Sequence, residues 1–325
     1  MTTALVSVEQ TPSNRSLAHL EDLRERAQGF AEASSAKSTR RAYHGDYRHF
    51  REWCGAHGVV VLPALPASVA LYLSELARTY KVATIARRIA AISQEHRKAG
   101  LRTPFTHPRV VEVWEGIRRT LGVTQARKDA ILTADLRRML EPLTDTTIDI
   151  RDRALLLLGF AGAFRRSELV ALDVVDVRIV TNGLEVILRR SKTDQEREGR
   201  LIGIPYGSNL VTCPVRSVQG WLDRSAIVDG PLFRAVDRGG NIASTPLSDQ
   251  TVALIVKRRA QRAGFDPTRF GGHSLRAGFA TSAALAGADA LEISRQTGHR
   301  SLSMVARYTR PATIWQMNAA HRVGL

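Results

Sequence analysis

The strongest constraint on this chain is a break in its periodicity. From Gly122 to Ile131 the three-and-four spacing of apolar residues, the signature of amphipathic helices, lapses. Residues 122–132 therefore read as a linker that separates residues 33–121 from residues 133–325. A chain of 325 residues suits two domains in any case. Residues 1–32 precede both as an extension, polar at first and helical in pattern from about Leu17.

The first segment reads as four helices. Thr39–Trp53 carries Tyr43, Tyr47, Phe50 and Trp53 at spacings of three and four. Pro66–Tyr80 begins on a proline, whose missing N–H costs nothing in a first turn. Ala83–Lys98 stops at Ala99-Gly100, and Val110–Leu121 completes the set. The second segment opens at Thr133, which reads as a helix N-cap, and continues with a buried helix over Arg151–Phe164. Val174–Val180 and Leu184–Arg190 are strand-like runs around Thr181-Asn182-Gly183, a hairpin turn signal. Leu201–Ile204 adds a third strand after the polar turn Lys192–Gly199. From Pro214 the pattern is mostly helical, over 214–226, 248–263, 274–286, 289–296, 302–309 and 312–322. The expected fold class is mainly α: an all-helical first domain, then a mixed α/β domain, mostly helical with a small antiparallel sheet.

Charge narrows the partners. Forty-seven Lys and Arg against 31 Asp and Glu leave +16. The excess is +7 over residues 1–125 and +9 over residues 126–325, so both segments are basic. That suits a polyanion, because each phosphate contact releases counterions; charge that merely keeps the chain soluble is the plain alternative. With only Cys54 and Cys213, neither a disulfide framework nor a cysteine zinc site is expected. The longest apolar run, Ala154–Phe164, has 11 residues, against roughly 20 for a membrane span, and the first ten residues lack a signal-peptide pattern. The chain reads as soluble and cytoplasmic, with no membrane partner.

Five short features of the second segment carry chemistry together, although each has an ordinary explanation alone. Arg165 and Glu168 stand at a helix end, where an i,i+3 ion pair is commonplace. Lys192 lies in a polar turn, where lysines are usually solvated. His273 and Arg276 share one face of a helix beginning near Ser274. His299 follows Gly298, and Ser301 reads as the N-cap of the next helix, which carries Tyr308. As a set, they are what attack on a DNA phosphate requires. Preorganised cations meet the charge that builds on the non-bridging oxygens, and two arginines and two histidines provide it. Tyr308 is the candidate nucleophile for a covalent intermediate. A phenol needs a proton acceptor, for which His273 is the first candidate, and Lys192 can protonate the departing 5′ oxygen.

The order R-x-S-E, S-K-T after a strand, H-S-L-R, then G-H with a tyrosine nine positions on resembles the tyrosine recombinases, also called phage-integrase-type recombinases. In the first segment, S-T-R-R-A-Y, V-A-T-I-A-R-R-I-A and E-H-R-K-A-G-L look like the core-binding domain of Cre-like members, so the likeness covers about residue 33 to the end. The resemblance implies that Arg165, Lys192, His273, Arg276 and His299 activate the phosphate, that Glu168 supports them and that Tyr308 attacks. A Trp stands in Cre-like members where His299 stands here; the wider family commonly has His. It further implies DNA contacts from Thr39, Arg40, Arg41, Thr84, Arg87 and Arg88, and a groove-reading helix opened by Ser248 and Gln250, glutamine being suited to adenine. The implied partners are double-stranded DNA with an inverted-repeat site and further copies of the chain, two on one site and four in a synapse joined by a Holliday junction. No cofactor, metal or ATP is implied, and residues 312–322 would form a helix that docks a neighbouring protomer. Three other readings stand beside it: a type IB topoisomerase-like enzyme, a metal-dependent nuclease using Asp173, Asp176, Asp194 or Glu196, and an integrase-like DNA-binding protein without chemistry.

Overall fold

The computed structural model describes residues 14–33, 37–122, 128–189, 199–299, 301–313 and 323. The chain divides into two compact units, Met1–Gln125 and Ala126–Leu325, each built on its own hydrophobic core. The first holds α1 (Asn14–Ala33), α2 (Lys37–Ala56), α3 (Pro66–Leu76), α4 (Val82–Lys98) and α5 (Pro108–Leu121). Phe50, Tyr72, Leu73, Ile85 and Ile92 fill its core. The aromatic stripe of α2 is what packs there: Phe50 is fully buried, with Tyr47 and Trp53 at its edge. α3 stops at Leu76, short of the expected Tyr80, and the chain leaves it in a turn closed by Tyr80 N–H on the Leu76 carbonyl at 2.8 Å.

The second unit begins with α6 (Thr133–Leu140), α7 (Thr147–Ala161) and the short α8 (Arg166–Leu169). An antiparallel sheet follows in the order β1 (Val177–Val180), β2 (Gly183–Leu188), β3 (Arg200–Pro205). Val180 pairs with Gly183 across the turn, and Leu184, Val186, Leu188, Ile202 and Ile204 face the core, as the two-residue period of strands requires. After α9 (Pro214–Ser225) come the hairpin β4 (Arg234–Val236) and β5 (Ile242–Pro246), then α10 (Asp249–Arg262), α11 (Ser274–Leu285), α12 (Ala290–Thr297) and α13 (Leu302–Thr313). α11 packs close against the chain entering the unit: Ile131 N–H donates to Ser274 O at 3.1 Å, and a Cβ at Gly278 would collide with the Ile131 carbonyl.

Several boundaries differ from the sequence expectation for local reasons. Val174–Asp176 is a 3₁₀ turn and not strand, because the Asp176 carboxylate accepts Asp173 N–H at 3.0 Å and competes with ladder pairing. Leu132 holds the N-cap position that Thr133 was expected to take, and Asp135 accepts its N–H at 2.9 Å. α7 starts at Thr147, earlier than expected, and ends at Ala161, before Phe164. The β4–β5 hairpin was not expected; Asp237 organises its turn by accepting Asn241 N–H at 2.9 Å. α13 runs without a boundary at residue 312, and residues 314–322, the body of the expected docking helix, lie outside the described residues.

A buried ion cluster fixes α10 against α7. Asp152, fully buried, accepts from Arg259 Nε at 2.7 Å and Arg151 Nη2 at 2.6 Å, while Arg259 also pairs with Asp149 at 2.6 Å. Removing one partner of such a cluster strands a buried charge and costs roughly 3–5 kcal/mol. The cluster anchors the C-terminal part of α10, while Ser248 and Gln250 lie exposed at its other end.

Candidate active site

The site grows from the end of α7. Gly162 terminates the helix and Ala163 turns back with φ +50, a left-handed conformation that costs a non-glycine residue roughly 1–2 kcal/mol. Phe164, buried, anchors the reversal, which delivers Arg165 as the N-cap of α8. Glu168, one turn on and 2% exposed, uses both oxygens on that one residue: Oε1 accepts from Arg165 Nη1 at 2.5 Å and Oε2 from Arg165 N–H at 2.9 Å. The carboxylate thus orients the guanidinium and satisfies the orphan N–H of the helix start.

The same reversal holds a second arginine. Arg276, 1% exposed on α11, donates Nη1 to the Ala163 carbonyl at 2.7 Å. Its Nε and Nη2 are buried without a hydrogen-bond partner among the described residues. Burial, then the Arg165 cation, brings its pKa down to about 10. A guanidinium held in this way has donors in reserve for an anion.

His273 caps the start of α11, and its Nε2 lies 3.1 Å from the Tyr308 hydroxyl on α13. His273 keeps some solvent exposure, yet partial burial of the ring, followed by the Arg276, Arg165 and Arg166 cations, holds its pKa below 6.5. The ring therefore favours its neutral form more strongly than a free imidazole does. Thr281 of α11 donates its hydroxyl to the Tyr308 carbonyl at 3.3 Å, and Ala280, Ala284, Ile293 and Val305 form a small core beneath the tyrosine.

His299 reaches the site from the turn between α12 and α13. Gly298, at φ +65, ends α12 in the left-handed conformation suited to glycine. The His299 ring then stacks on Tyr308, centroids 5.6 Å apart and planes 23° from parallel. Burial, then Arg276, Arg165, His273 and Arg200, lowers its pKa to about 4. Its tautomer follows from a neighbour. Thr297, fully buried, has its Oγ1 2.7 Å from the Ile293 carbonyl and 2.8 Å from His299 Nδ1. The carbonyl can only accept, so the single hydroxyl proton goes to it and His299 Nδ1–H donates to Thr297.

The structure thus brings Arg165, Glu168, His273, Arg276, His299 and Tyr308 into one electrostatic neighbourhood. Lys192 lies outside the described residues. Two contributors escaped the sequence reading. Thr297 sits directly before Gly298-His299, and Arg200, half-buried at the start of β3, faces Glu168 and Arg165. Neither has a local signal: one is a threonine in a helix, the other one cation among 47. Of the residues named for the metal reading, Asp176 is buried in an ion pair with Arg189 at 2.6 Å, and Asp194 and Glu196 lie outside the described residues; among the described residues no group of three or more His, Cys, Asp or Glu is placed to hold a metal ion.

The expected DNA contacts of the first unit separate by burial. Thr39, Arg40 and Arg41 lie on α2, and Thr84, Arg87 and Arg88 on α4. Arg40, Arg41 and Arg87 are exposed; Arg87 makes a two-point pair with Asp46, at 2.6 and 3.1 Å. Arg88 is interior, 7% exposed, 4.0 Å over the Tyr80 ring and within 3.0 Å of His49. A cleft of about 970 Å³ in this unit is lined by Arg40, Tyr43, Arg48, Arg51, Gln94 and Lys98, among others. Its signal was present in the sequence as the stripe Arg40, His44, Arg48 and Arg51 on one helix face. In the second unit, Ser248 caps α10 by accepting Thr251 N–H at 3.1 Å, and Asp249 pairs with Arg166 at 3.2 Å.

Comparison with known proteins places the chain in a family. Residues 130–313 match the phage integrase family. The chain is 42% identical to an integrase/recombinase xerD homolog of Selenomonas ruminantium, over 90% of this chain and 87% of that one. It is 28% identical to the recombinase cre of Escherichia phage P1, over 81% of each. A lambda integrase dimer bound to a COC′ core site shares the fold, with a TM-score of 0.58 at 16% identity, covering 89% of this chain and 77% of that one.

Proposed function

The chain belongs to the phage integrase family and is a tyrosine recombinase that carries out site-specific DNA recombination; from that premise we propose that Tyr308 is its nucleophile and that Arg165 and Arg276 hold the scissile phosphate. The observation that carries this assignment is the Tyr308 hydroxyl 3.1 Å from His273 Nε2, beside Arg276, two of whose buried donors have no partner among the described residues.

The Tyr308 oxygen attacks phosphorus as its proton passes to His273. A phosphotyrosyl bond to the 3′ side forms and the bond to the 5′ oxygen breaks. Charge on the non-bridging oxygens falls to Arg165 and Arg276, whose places are set before DNA arrives, so little reorganisation opposes the step. His299, neutral and fixed by Thr297, stacks on the nucleophile and limits its rotation. Lys192 delivers a proton to the departing 5′ oxygen. A 5′ hydroxyl from the partner strand then attacks the phosphotyrosine, and Tyr308 leaves. One phosphodiester replaces another, so the exchange needs no nucleotide hydrolysis.

Double-stranded DNA is the partner. The inverted-repeat site, a dimer on one site, a four-protomer synapse and the Holliday junction belong to the same proposal; the lambda integrase dimer on its core site supports the first level of assembly. The exposed Arg40, Arg41 and Arg87, together with Thr39 and Thr84, are assigned to DNA in the first unit, and Ser248 and Gln250 in the second. Arg88 is assigned a structural role in holding α4 to α2. The test is a nicked suicide duplex built on the sequence that the purified chain selects from a random pool. Tyr308→Phe should bind it as the wild type does and form no covalent adduct. An adduct in that variant, or one mapped to another residue, overturns the assignment.

A further inference from the structure

The turn that carries His299 is held by more than its own hydrogen bonds. Arg200, the first residue of β3, donates Nη1 to the carbonyls of Arg295 and Gln296, at 3.1 and 3.3 Å. These carbonyls lie in the last turn of α12, which has no further helical N–H to offer them, and a cation there also meets the negative end of the helix dipole. The fit is close. The Arg200 guanidinium lies where a Cβ at Gly298 would stand, and it is the φ of +65 that calls for glycine there. Gln296 adds a second tie by donating Nε2 to Ala161 O at 2.9 Å. The α12 end is thereby fastened both to the sheet and to the end of α7 that delivers Arg165.

We propose that Arg200 is a positioning residue of the active site, clamping the C-terminal carbonyls of α12 to β3 and so fixing where His299 lies against Tyr308. Its hydrogen bonds go to the carbonyls of Arg295 and Gln296, and it acts through that backbone. The proposal rests on the reading of His299 as part of the catalytic set. Its charge matters as well as its reach. His299 is faced by Arg276 and His273 from α11, Arg165 from the start of α8, Arg200 from β3 and Tyr308 from α13, with Thr297 on its own element. Arg200 is therefore one of three cations that disfavour a charged imidazole, and its removal moves the His299 titration upward.

The experiment uses the full chain with ¹⁵N-labelled histidine, the His299 resonance being identified by its loss in His299→Gln. In the wild type, His299 should show one neutral tautomer, protonated at Nδ1, and should titrate near 4. In Arg200→Met the midpoint should rise and the two tautomers should mix as the turn loosens. On the selected nicked duplex, single-turnover cleavage should fall roughly ten- to hundredfold, the scale of a displaced reacting group, with a smaller change in DNA affinity. Should Arg200→Met not fold, Arg200→Lys serves instead: it keeps the cation but lacks the forked guanidinium that reaches both carbonyls, so the tautomers should mix while the midpoint moves less. In a folded variant of either kind, an unmoved His299 signal overturns the role of Arg200 even if cleavage slows. A moved His299 signal with wild-type cleavage instead overturns the catalytic reading of His299, and this proposal with it.

Discussion

Glutamine at position 168 isolates what the Glu168 carboxylate does, since it keeps the volume and removes the charge. Both carboxylate oxygens are engaged by Arg165, at 2.5 and 2.9 Å, and the side chain is 2% exposed. Glutamine has one oxygen to offer. If it stays on the Arg165 N–H, its amide NH₂ faces the guanidinium, donor against donor. The charge-assisted bond is then lost, worth about 1.5–3 kcal/mol. Arg165 is 16% exposed, so water recovers part of that loss and the lower end applies. For a domain the size of the second unit, each kcal/mol moves Tm by roughly 2–4 °C, so a loss of about 1.5 kcal/mol gives a fall of about 3–6 °C in its melting transition. The guanidinium, no longer held, leaves the position assigned to the phosphate, and single-turnover cleavage should drop roughly ten- to hundredfold. Calorimetry on the full chain and cleavage of the selected duplex read the two effects separately. Lower melting with undiminished cleavage would refute the positioning argument and leave Glu168 a purely structural residue; wild-type behaviour in both would refute the pairing itself.

Other outcomes follow from the same geometry. His273→Gln should slow cleavage by roughly 10²–10⁴-fold, the usual worth of a general base, at unchanged DNA affinity. With the neutral His273 imidazole as the proposed acceptor and its pKa held below 6.5, cleavage should be flat with pH around neutrality and fall only as pH drops below 6.5; an acid limb that persists unchanged in His273→Gln assigns the proton elsewhere. Lys192→Ala should cleave ordinary DNA slowly and recover on a 5′-thio substrate, whose thiolate leaves without a proton, whereas Arg165→Ala and Arg276→Ala should not recover; equal slowness on both substrates would show that Lys192 places the phosphate. A plot of log affinity against log salt should be steep for the full chain and shallower for residues 133–325, and equal slopes would mean the first unit makes few phosphate contacts.

Local rules in the sequence determined most of the elements and the reaction class. The aromatic spacing of α2, the proline starts of α3 and α9 and the Asn182-Gly183 turn depend on neighbours within four residues, so they can be read without the fold. Arg165, His273, Arg276, His299 and Tyr308, which the structure brings together and the proposal takes as the catalytic set, could be picked out for another reason: chemistry restricts which side chains can attack a phosphate or hold its charge. Boundaries failed where a side chain competed with the backbone, as at Asp176, or where a residue took an uncommon φ, as at Ala163. Tertiary structure alone decided the rest, because burial and charge environment are set by residues distant in sequence. Arg87 and Arg88 are adjacent on one helix, yet one is exposed and the other lies against Tyr80 and His49. The tautomer of His299 depends on whether Thr297 already has an acceptor, and that is known only once α12 is folded. Arg200 became visible only when the sheet brought it 95 residues along the chain to the carbonyl of Arg295. Periodicity records which face of an element is apolar; it holds no information about which other element will meet that face.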